Sequence, residues 1–191
     1  GQIYSNEIND GVSYGIYLYL MEESHVHSNV LDEAGESGIY VTTSDKIFVY
    51  GNSISNSLLV GISLMSTTYS EVTVNQLFDN YNGVYFIFSD DNKLSSNNIS
   101  GTSNLSISLA SSDLNLVSNN EINNTINGIF LSGSNENEVY YNNFLGTNDD
   151  SVYSYGLMVF DLFSYALVNS NTFESNYFSG FENALYYDNV G

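Results

Sequence analysis

The sequence repeats one short pattern eight times: an apolar residue, any two residues, an asparagine, any residue and a second apolar residue. Successive asparagines are 23, 23, 23, 22, 23, 22 and 29 residues apart. A period of this length predicts a repeat protein in which each unit stacks on the next. Stacked asparagines can pass amide hydrogen bonds between units, so we predict a structural ladder. Its predicted members are Asn6, Asn29, Asn52, Asn75, Asn97, Asn120, Asn142 and Asn171.

A second pattern keeps step with the first: a small residue, usually glycine, then an apolar residue, any residue and another apolar residue. Gly38 to Val41 is an example, and in the fifth repeat Asn104 takes the place of the glycine. This alternation predicts short strands with one buried face, and the glycine predicts a tight corner. No apolar residues recur at helical spacing. We therefore predict an all-β fold, a single-stranded parallel β-helix (solenoid) of about eight coils of ~23 residues, forming one domain over residues 1–191.

The two motifs together resemble the right-handed parallel β-helix repeat family. That family includes NosD-like periplasmic proteins, enzymes of the pectin-lyase-like fold and many bacterial and archaeal surface proteins. The resemblance covers essentially the whole chain, and it implies the fold and its handedness, which also follows the general rule for parallel crossovers. It implies little about function, because one fold hosts many activities.

The repeat becomes longer near its end. Residues 145–155 and 174–183 are predicted to be longer loops at the same corner of the solenoid, so they should protrude side by side. The repeat also runs from Ile3 to Tyr187 without a recognisable capping element, which predicts a domain that is uncapped at both ends. Open ends of this kind would pair with neighbouring copies or repeats.

The charge balance excludes several partners. The chain has 22 acidic residues, two lysines and no arginine, for a net charge of −20. Such a chain repels nucleic acids and anionic membrane surfaces. Its longest nearly apolar run, Tyr14 to Met21, is too short to span a bilayer, so we predict no membrane span. Cysteine is absent, so the redox compartment is not predicted.

Candidate catalytic groups are few. Lyases of this fold need a base together with cations, and the chain offers only Lys46 and Lys93, at different points of the repeat. Glycoside hydrolysis needs paired carboxylates, which Asp90 and Asp91 could provide with Asp45 or Asp113 on adjacent coils. The alternative reading of these acids is a solvated turn. We assign no catalytic residue from the sequence.

Metal binding has three weak candidates. Glu22 should stack over Asp45, and like charges on adjacent coils favour a cation between them. Asp149 and Asp150 are a second candidate pair of carboxylates. These acids predict at most weakly bound Ca²⁺. His25 and His27 flank an inward residue, and the resemblance to NosD-like proteins implies copper delivery. The residues one coil on, however, are Phe48 and Tyr50, which are not ligands. No firm metal site and no required cofactor are predicted.

Outward aromatic residues form the most unusual predicted surface. The position two after the repeat glycine should form a ridge along the solenoid, interrupted by Ser63, Ser106 and Met158. A ridge of this kind suits contact with another subunit or with sugar rings. The predicted assembly or ligand surface, including the longer loops, contains Tyr17, Tyr40, Tyr85, Phe130, Tyr186, Tyr153, Tyr155, Tyr177 and Phe181. Three asparagines match the glycosylation acceptor pattern, Asn98, Asn104 and Asn123.

These observations favour a non-enzymatic structural protein of the extracellular space or cell surface, such as a subunit or segment of a surface layer, sheath or filament. It would self-assemble through the solenoid ends and the aromatic faces, so its expected partners are copies of itself or neighbouring repeats. The alternative is a carbohydrate-binding or carbohydrate-cleaving β-helix protein with a polysaccharide as its partner.

Overall fold

The computed structural model describes residues 1–11, 13–148, 153–160 and 170–188. These residues form strands joined by turns and bends, and no helix is present among them. In this part of the chain there is accordingly no helix long and apolar enough to cross a membrane. The prediction of an all-β fold is confirmed.

Within the described residues, the strands are arranged in three parallel sheets of eight strands each, and each coil contributes one strand to every sheet. The first sheet contains β1 (Gln2–Tyr4), β4 (Glu22–His27), β7 (Asp45–Tyr50), β10 (Glu71–Thr73), β13 (Lys93–Ser95), β16 (Leu116–Ser118), β19 (Glu138–Tyr140) and β22 (Thr172–Glu174). The second contains β2 (Glu7–Asn9), β5 (Val30–Asp32), β8 (Ser53–Ser55), β11 (Gln76–Phe78), β14 (Asn98–Ser100), β17 (Glu121–Thr125), β20 (Asn143–Gly146) and β23 (Tyr177–Ser179). The third contains β3 (Tyr14–Tyr19), β6 (Ser37–Thr42), β9 (Val60–Met65), β12 (Asn82–Ile87), β15 (Leu105–Ala110), β18 (Asn127–Ser132), β21 (Tyr155–Phe160) and β24 (Asn183–Asp188).

The register places each repeat on its equivalent in the next coil. Val26 pairs with Ile3 on one side and with Val49 on the other, so apolar residues stack on apolar residues. Val26 and Val49 are fully buried, as are the corresponding residues through Val139. The predicted parallel β-solenoid is therefore confirmed, and its core is a single column enclosed by the three sheets.

Seven of the eight predicted asparagines, all but Asn171, occupy the corner between the first and second sheets. Each side chain from Asn6 to Asn120 donates its amide to Oδ1 of the asparagine one coil on, at 2.9–3.0 Å. The column ends differently from the prediction, because Asn142 donates to Asn176 at 2.9 Å rather than to Asn171. We call this column the corner ladder.

Asn171 belongs to a second polar column, which the sequence analysis missed. Backbone N–H groups there donate to the side chains of the next coil at 2.9 Å, in the order Ser70, Asn92, Asn115, Asn137, Asn171. Asn92 and Asn97, Asn115 and Asn120, Asn137 and Asn142, and Asn171 and Asn176 are all five residues apart. This constant offset was the available signal for the register of the last coil.

The corrected register changes the predicted loops. Phe173 pairs with Val139, and Phe178 pairs with Phe144, so residues 174–183 follow the ordinary course of a coil. Asn142 and its partner Asn176 are 34 residues apart. The extra length therefore falls within residues 147–154 and 161–170, which lie partly outside the described residues, and the prediction of a longer loop at 174–183 is wrong.

The fifth coil also differs from its predicted register. Ser108, not Ser106, pairs with Tyr85, so Asn104 does not stand at the glycine position. The repeat glycines serve coil spacing rather than corner geometry. A Cβ atom on Gly61 would lie 2.9 Å from the carbonyl oxygen of Gly83 in the next coil, closer than real Cβ contacts allow.

Candidate functional site

The outward face of the first sheet changes in residue type from coil to coil. Two columns of side chains cover it, one on each side of the buried column. We call it the first-sheet face. The column before the buried residue is Gln2, His25, Phe48, Glu71, Lys93, Leu116, Glu138 and Thr172. The column after it is Tyr4, His27, Tyr50, Thr73, Ser95, Ser118, Tyr140 and Glu174.

Both histidines lie within aromatic stacks on this face. The His27 ring lies between Tyr4, at 5.2 Å, and Tyr50, at 4.8 Å, with interplanar angles of 4° and 8°. His25 stacks on Phe48 at 4.8 Å and meets the edge of Tyr50 at 6.1 Å. Stacked coils align these rings because equivalent residues on adjacent strands are about 4.8 Å apart.

The hydrogen bonding of His27 leaves one ring nitrogen available. Its Nδ1 lies 3.2 Å from Ser28 Oγ, and the rings of Tyr4 and Tyr50 cover the two faces of the imidazole. Nε2 is the remaining nitrogen, and the side chain as a whole is partly exposed. A neutral imidazole held in this way can accept or donate a proton at its free nitrogen.

The aromatic stacks stop after the third coil. Phe48 and Tyr50 are followed in the next coil by Glu71 and Thr73, which have no rings. Each of these two aromatic rings therefore stacks on a histidine on one side only. An unstacked aromatic face beside polar groups is a surface on which the C–H face of a sugar can pack.

Each lysine of the chain is paired with acidic residues. Lys93 Nζ lies 3.6 Å from Glu71 Oε2 on the first-sheet face. Lys46 Nζ lies 3.5 Å from Asp45, 3.7 Å from Glu22 and 3.9 Å from Glu23. The charge of Asp45, together with its hydrogen bond, raises the pKa of the Lys46 ammonium.

This arrangement alters the prediction of a Ca²⁺ site at Glu22 and Asp45. The two carboxylates are on adjacent coils as expected, but Lys46 already supplies the positive charge between them. The other predicted pair, Asp149 and Asp150, lies outside the described residues. Among the residues that the structure describes, no three histidine, cysteine, aspartate or glutamate side chains form a metal-binding group.

The predicted tyrosine ridge lies on the outward face of the third sheet, but it is not continuous. Tyr17, Tyr40, Tyr85, Phe130 and Tyr186 share one column, with Ser63, Ser108 and Met158 between them. Only the first two coils form a stack, in which Tyr14, Tyr17 and Tyr40 lie 4.8–5.6 Å apart and Tyr19 lies 6.5 Å from Tyr17. Tyr14 and Tyr19 were not among the predicted contact residues.

Two tyrosines of the third sheet have perturbed hydroxyl groups. Burial raises the pKa of Tyr85 to about 12. A hydrogen bond with Glu36, followed by desolvation, raises the pKa of Tyr14 to about 12. Both phenols therefore stay protonated far above neutral pH, and neither is a general base.

The remaining predicted contact residues are scattered. Tyr177 lies on the second sheet, and Phe181 packs against the core instead of forming part of a surface. Tyr153 is exposed, whereas Tyr155 makes an edge contact with Tyr186 at 5.4 Å. These residues do not form one surface.

The predicted glycosylation sites differ in accessibility. Asn98 is exposed, whereas Asn104 and Asn123 are partly buried. The amide of Asn104 donates to Oδ1 of Asn82 at 2.9 Å. Glycosylation stays a prediction.

The candidate hydrolase acids form hydrogen bonds between coils. Asp90 Oδ1 accepts the backbone N–H of Asp113 at 2.7 Å, and Asp113 Oδ1 accepts that of Asn135 at 2.6 Å. Asp45 is not adjacent to Asp90, because Thr68 occupies the coil between them. This bonding fits the alternative reading of these acids as a turn.

Several solved structures share this fold. The A-module of the mannuronan C-5 epimerase AlgE4 of Azotobacter vinelandii matches with a TM-score of 0.81 at 14% identity, over 100% of this chain and 57% of that one. DFA-IIIase from Arthrobacter chlorophenolicus A6 matches with a TM-score of 0.77 at 16% identity, over 91% and 48%. The periplasmic alginate epimerase AlgG matches with a TM-score of 0.71 at 18% identity, over 96% and 49%. The chain thus spans about half the length of these structures.

These matches contradict the expectation of a non-enzymatic protein. The three structures are carbohydrate-processing enzymes: two are epimerases and the third is DFA-IIIase. Nothing in them supports a self-assembling sheath or filament subunit. The scarcity of basic residues counts against lyases, which use cations beside an acidic substrate, but it does not exclude other carbohydrate-processing reactions.

The family match is independent of these structures. The sequence model described as periplasmic copper-binding protein (NosD) matches residues 1–190, whereas no curated protein matches the chain. The described residues do not fit a copper centre, because His25 and His27 stack on Phe48 and Tyr50 and have no third histidine, cysteine or acidic partner. The match covers nearly the whole chain and agrees with the stacked 22–23-residue repeat, and on this evidence the chain belongs to the NosD family.

Proposed function

We propose that the protein acts on carbohydrate outside the cytoplasm, with the first-sheet face as its glycan-binding and reactive surface. The observation that carries the proposal is the position of His27, held between Tyr4 and Tyr50 beside two aromatic rings with unstacked faces. The carbohydrate-processing enzymes that share the fold support carbohydrate in general as the substrate.

The aromatic rings supply binding. The stacks end at Phe48 and Tyr50, and Glu71 and Thr73 follow on the next strand. A sugar ring that packs on the unstacked aromatic faces would therefore lie over these two polar side chains. Sugars present both apolar C–H faces and hydroxyl groups, which matches aromatic rings beside side chains that form hydrogen bonds.

The histidine supplies proton transfer. Cleavage or epimerisation of a sugar requires a group that takes or gives a proton near neutral pH, and imidazole does this most readily. Nδ1 of His27 is engaged near Ser28 Oγ, so Nε2 is the nitrogen that would exchange a proton with the substrate. A sugar stacked on Tyr50 lies on the far side of that ring from His27, so the reacting sugar would be the neighbouring unit of the same glycan, over the coil of His27. The aromatic neighbours fix the plane of the ring, which aims that nitrogen.

Two of the similar proteins support a location outside the cytoplasm. The family is described as periplasmic, and one of the structures that share the fold is a periplasmic epimerase. Both support a site outside the cytoplasm for this chain, and so does its acidic composition.

The test combines binding and turnover on a panel of neutral and acidic polysaccharides. We expect retardation in affinity electrophoresis with at least one polymer and release of new reducing ends, unsaturated products or epimerised residues from it. His27→Gln should lower product formation by about 100-fold or more while leaving binding within about three-fold. His25→Gln, which changes the neighbouring imidazole in the other column, is the matched control. Absence of binding and of product with every polymer would refute the proposal.

A further inference from the structure

The first-sheet face carries almost no uncompensated positive charge. The chain has two lysines and no arginine. Lys46 has three carboxylates within 4 Å, and Lys93 has Glu71 at 3.6 Å. The surrounding protein has a net charge of −20, which adds a repulsive field for any anion.

The position of the Glu71–Lys93 ion pair matters for a bound glycan. Phe48, Glu71 and Lys93 follow one another on adjacent strands of the same column. A sugar stacked on the open face of Phe48 would therefore lie over the Glu71 carboxylate, with the Lys93 ammonium one strand further. Both side chains are about 44% exposed, so each can reach the ligand.

Uronic acids and neutral sugars meet this pair differently. A uronate brings one carboxylate per sugar, which needs an available cation and suffers repulsion from Glu71. A neutral sugar brings hydroxyl groups, which can donate to Glu71 and accept from Lys93 while the ion pair stays intact.

Resting on the proposed function, we propose that the Glu71–Lys93 pair makes this protein selective for neutral glycans and excludes uronic-acid polymers. Two of the structures that share the fold are named for alginate or mannuronan, which are uronic-acid polymers. The substrate class of this chain therefore differs from theirs, because its only cation at the open aromatic face is already neutralised by its own glutamate.

The experiment uses matched ligands that differ only in the carboxyl group. Oligomers of mannuronate, guluronate and galacturonate, and the carboxyl-reduced form of each, are titrated calorimetrically at about pH 8. A panel of common neutral glucans, mannans and fructans is titrated alongside. We expect neutral ligands to bind and the uronates to bind at least about ten-fold more weakly.

Two variants isolate the ion pair. Glu71→Gln frees Lys93 and should tighten uronate binding by about five-fold, the size expected for one exposed charge pair. Glu121→Gln makes the same change in net charge at an exposed position of the second sheet, outside the first-sheet face. It should leave the preference unchanged.

The outcomes separate the two proposals. Uronates that bind the wild type as tightly as neutral glycans would overturn the selectivity while supporting the proposed function. Equal effects of the two glutamine variants would show that net charge, not the pair, sets the preference, and would overturn the assignment to Glu71. A protein that binds no neutral or acidic glycan would remove the proposed function and the selectivity together.

Discussion

The corner ladder and the first-sheet face are both columns of side chains with the same 22–23-residue period, yet they are built in opposite ways. The corner keeps an asparagine in every coil from Asn6 to Asn142. The face changes from Tyr4 and His27 to Thr73 and then to Tyr140. Buried amides need hydrogen-bond partners within the protein, and an asparagine in the next coil supplies one, whereas outward groups are satisfied by water.

This difference separates two kinds of information in a repeat sequence. Residues that recur at every coil report on stacking, and residues that break the recurrence on an outward column mark a surface that stacking does not require. His25 and His27 are the only histidines of the chain and occur together in one coil. Three predictions test this separation, ordered by the size of the expected effect.

The largest effect is expected in the corner ladder. Asn97 is buried, donates its amide to Asn120 Oδ1 at 3.0 Å and to the carbonyl of Val72 at 2.9 Å, and accepts from Asn75. Asn97→Ala leaves these buried groups unpaired and should lower the free energy of unfolding by about 4 kcal/mol. Chemical denaturation measures the loss.

The matched control is the adjacent residue. Asn98 has the same side chain on an exposed outward position, so Asn98→Ala should change the free energy of unfolding by less than about 0.5 kcal/mol. Similar losses for the two variants would erase the distinction between corner and face.

A smaller effect is expected where an outward column is itself partly buried. Burial raises the pKa of Tyr85 in the folded protein to about 12, against about 10 in the unfolded chain. The folded protein holds this proton more tightly, so the stabilisation is complete below about pH 10 and is lost as the pH rises to about 12, by about 2 kcal/mol. Denaturation at rising pH should show a smaller alkaline loss for Tyr85→Phe than for the wild type.

The control for this titration is an exposed phenol. Tyr177 is exposed on the second sheet, so Tyr177→Phe should keep the alkaline loss of the wild type. If the two phenylalanine variants behave alike, Tyr85 belongs with the freely solvated outward residues.

The smallest effect on folding, and the clearest on binding, is expected at the open aromatic face. Tyr50→Ala removes one ring of the stack with His27 and should weaken glycan binding by about ten-fold. The free energy of unfolding should fall by less than about 1 kcal/mol, because the ring is outward. Tyr177→Ala is the control for binding, and an equal loss of affinity there would contradict the placement of the site on the first sheet.

Much of the fold could be predicted because its determinants are local and repeated. The alternation around Val26 or Val49 sets which residues face inward, and the period sets which of them stack. Registers that depend on distant pairing could not be predicted in the same way. In the last coil, two similar patterns competed, and the partly buried hydrogen bond from Asn142 to Asn176 distinguishes them.

The candidate site was only partly predictable. The alternation around Val26 predicts His25 and His27 as an outward pair, but Phe48 and Tyr50, one coil on, are not metal ligands and give no signal for a metal site. In the folded protein the same two residues are the stacking partners of the histidines. Their significance depends on ring orientation, which a spacing cannot show, and on the end of the stack at Glu71 and Thr73, which the 23-residue period places one coil further on.

The amino-acid sequence by itself determined that this chain coils into a parallel solenoid, because every coil repeats the same inward residues and the same corner amide. Only the tertiary structure decided which outward residues meet, how the last coil is aligned and that each lysine is neutralised by its own carboxylates. The physical reason is that stacking is a nearest-neighbour property that a period encodes. A functional face, in contrast, consists of side chains 22 or more residues apart in the sequence, whose mutual distances are set only when the coils are in register.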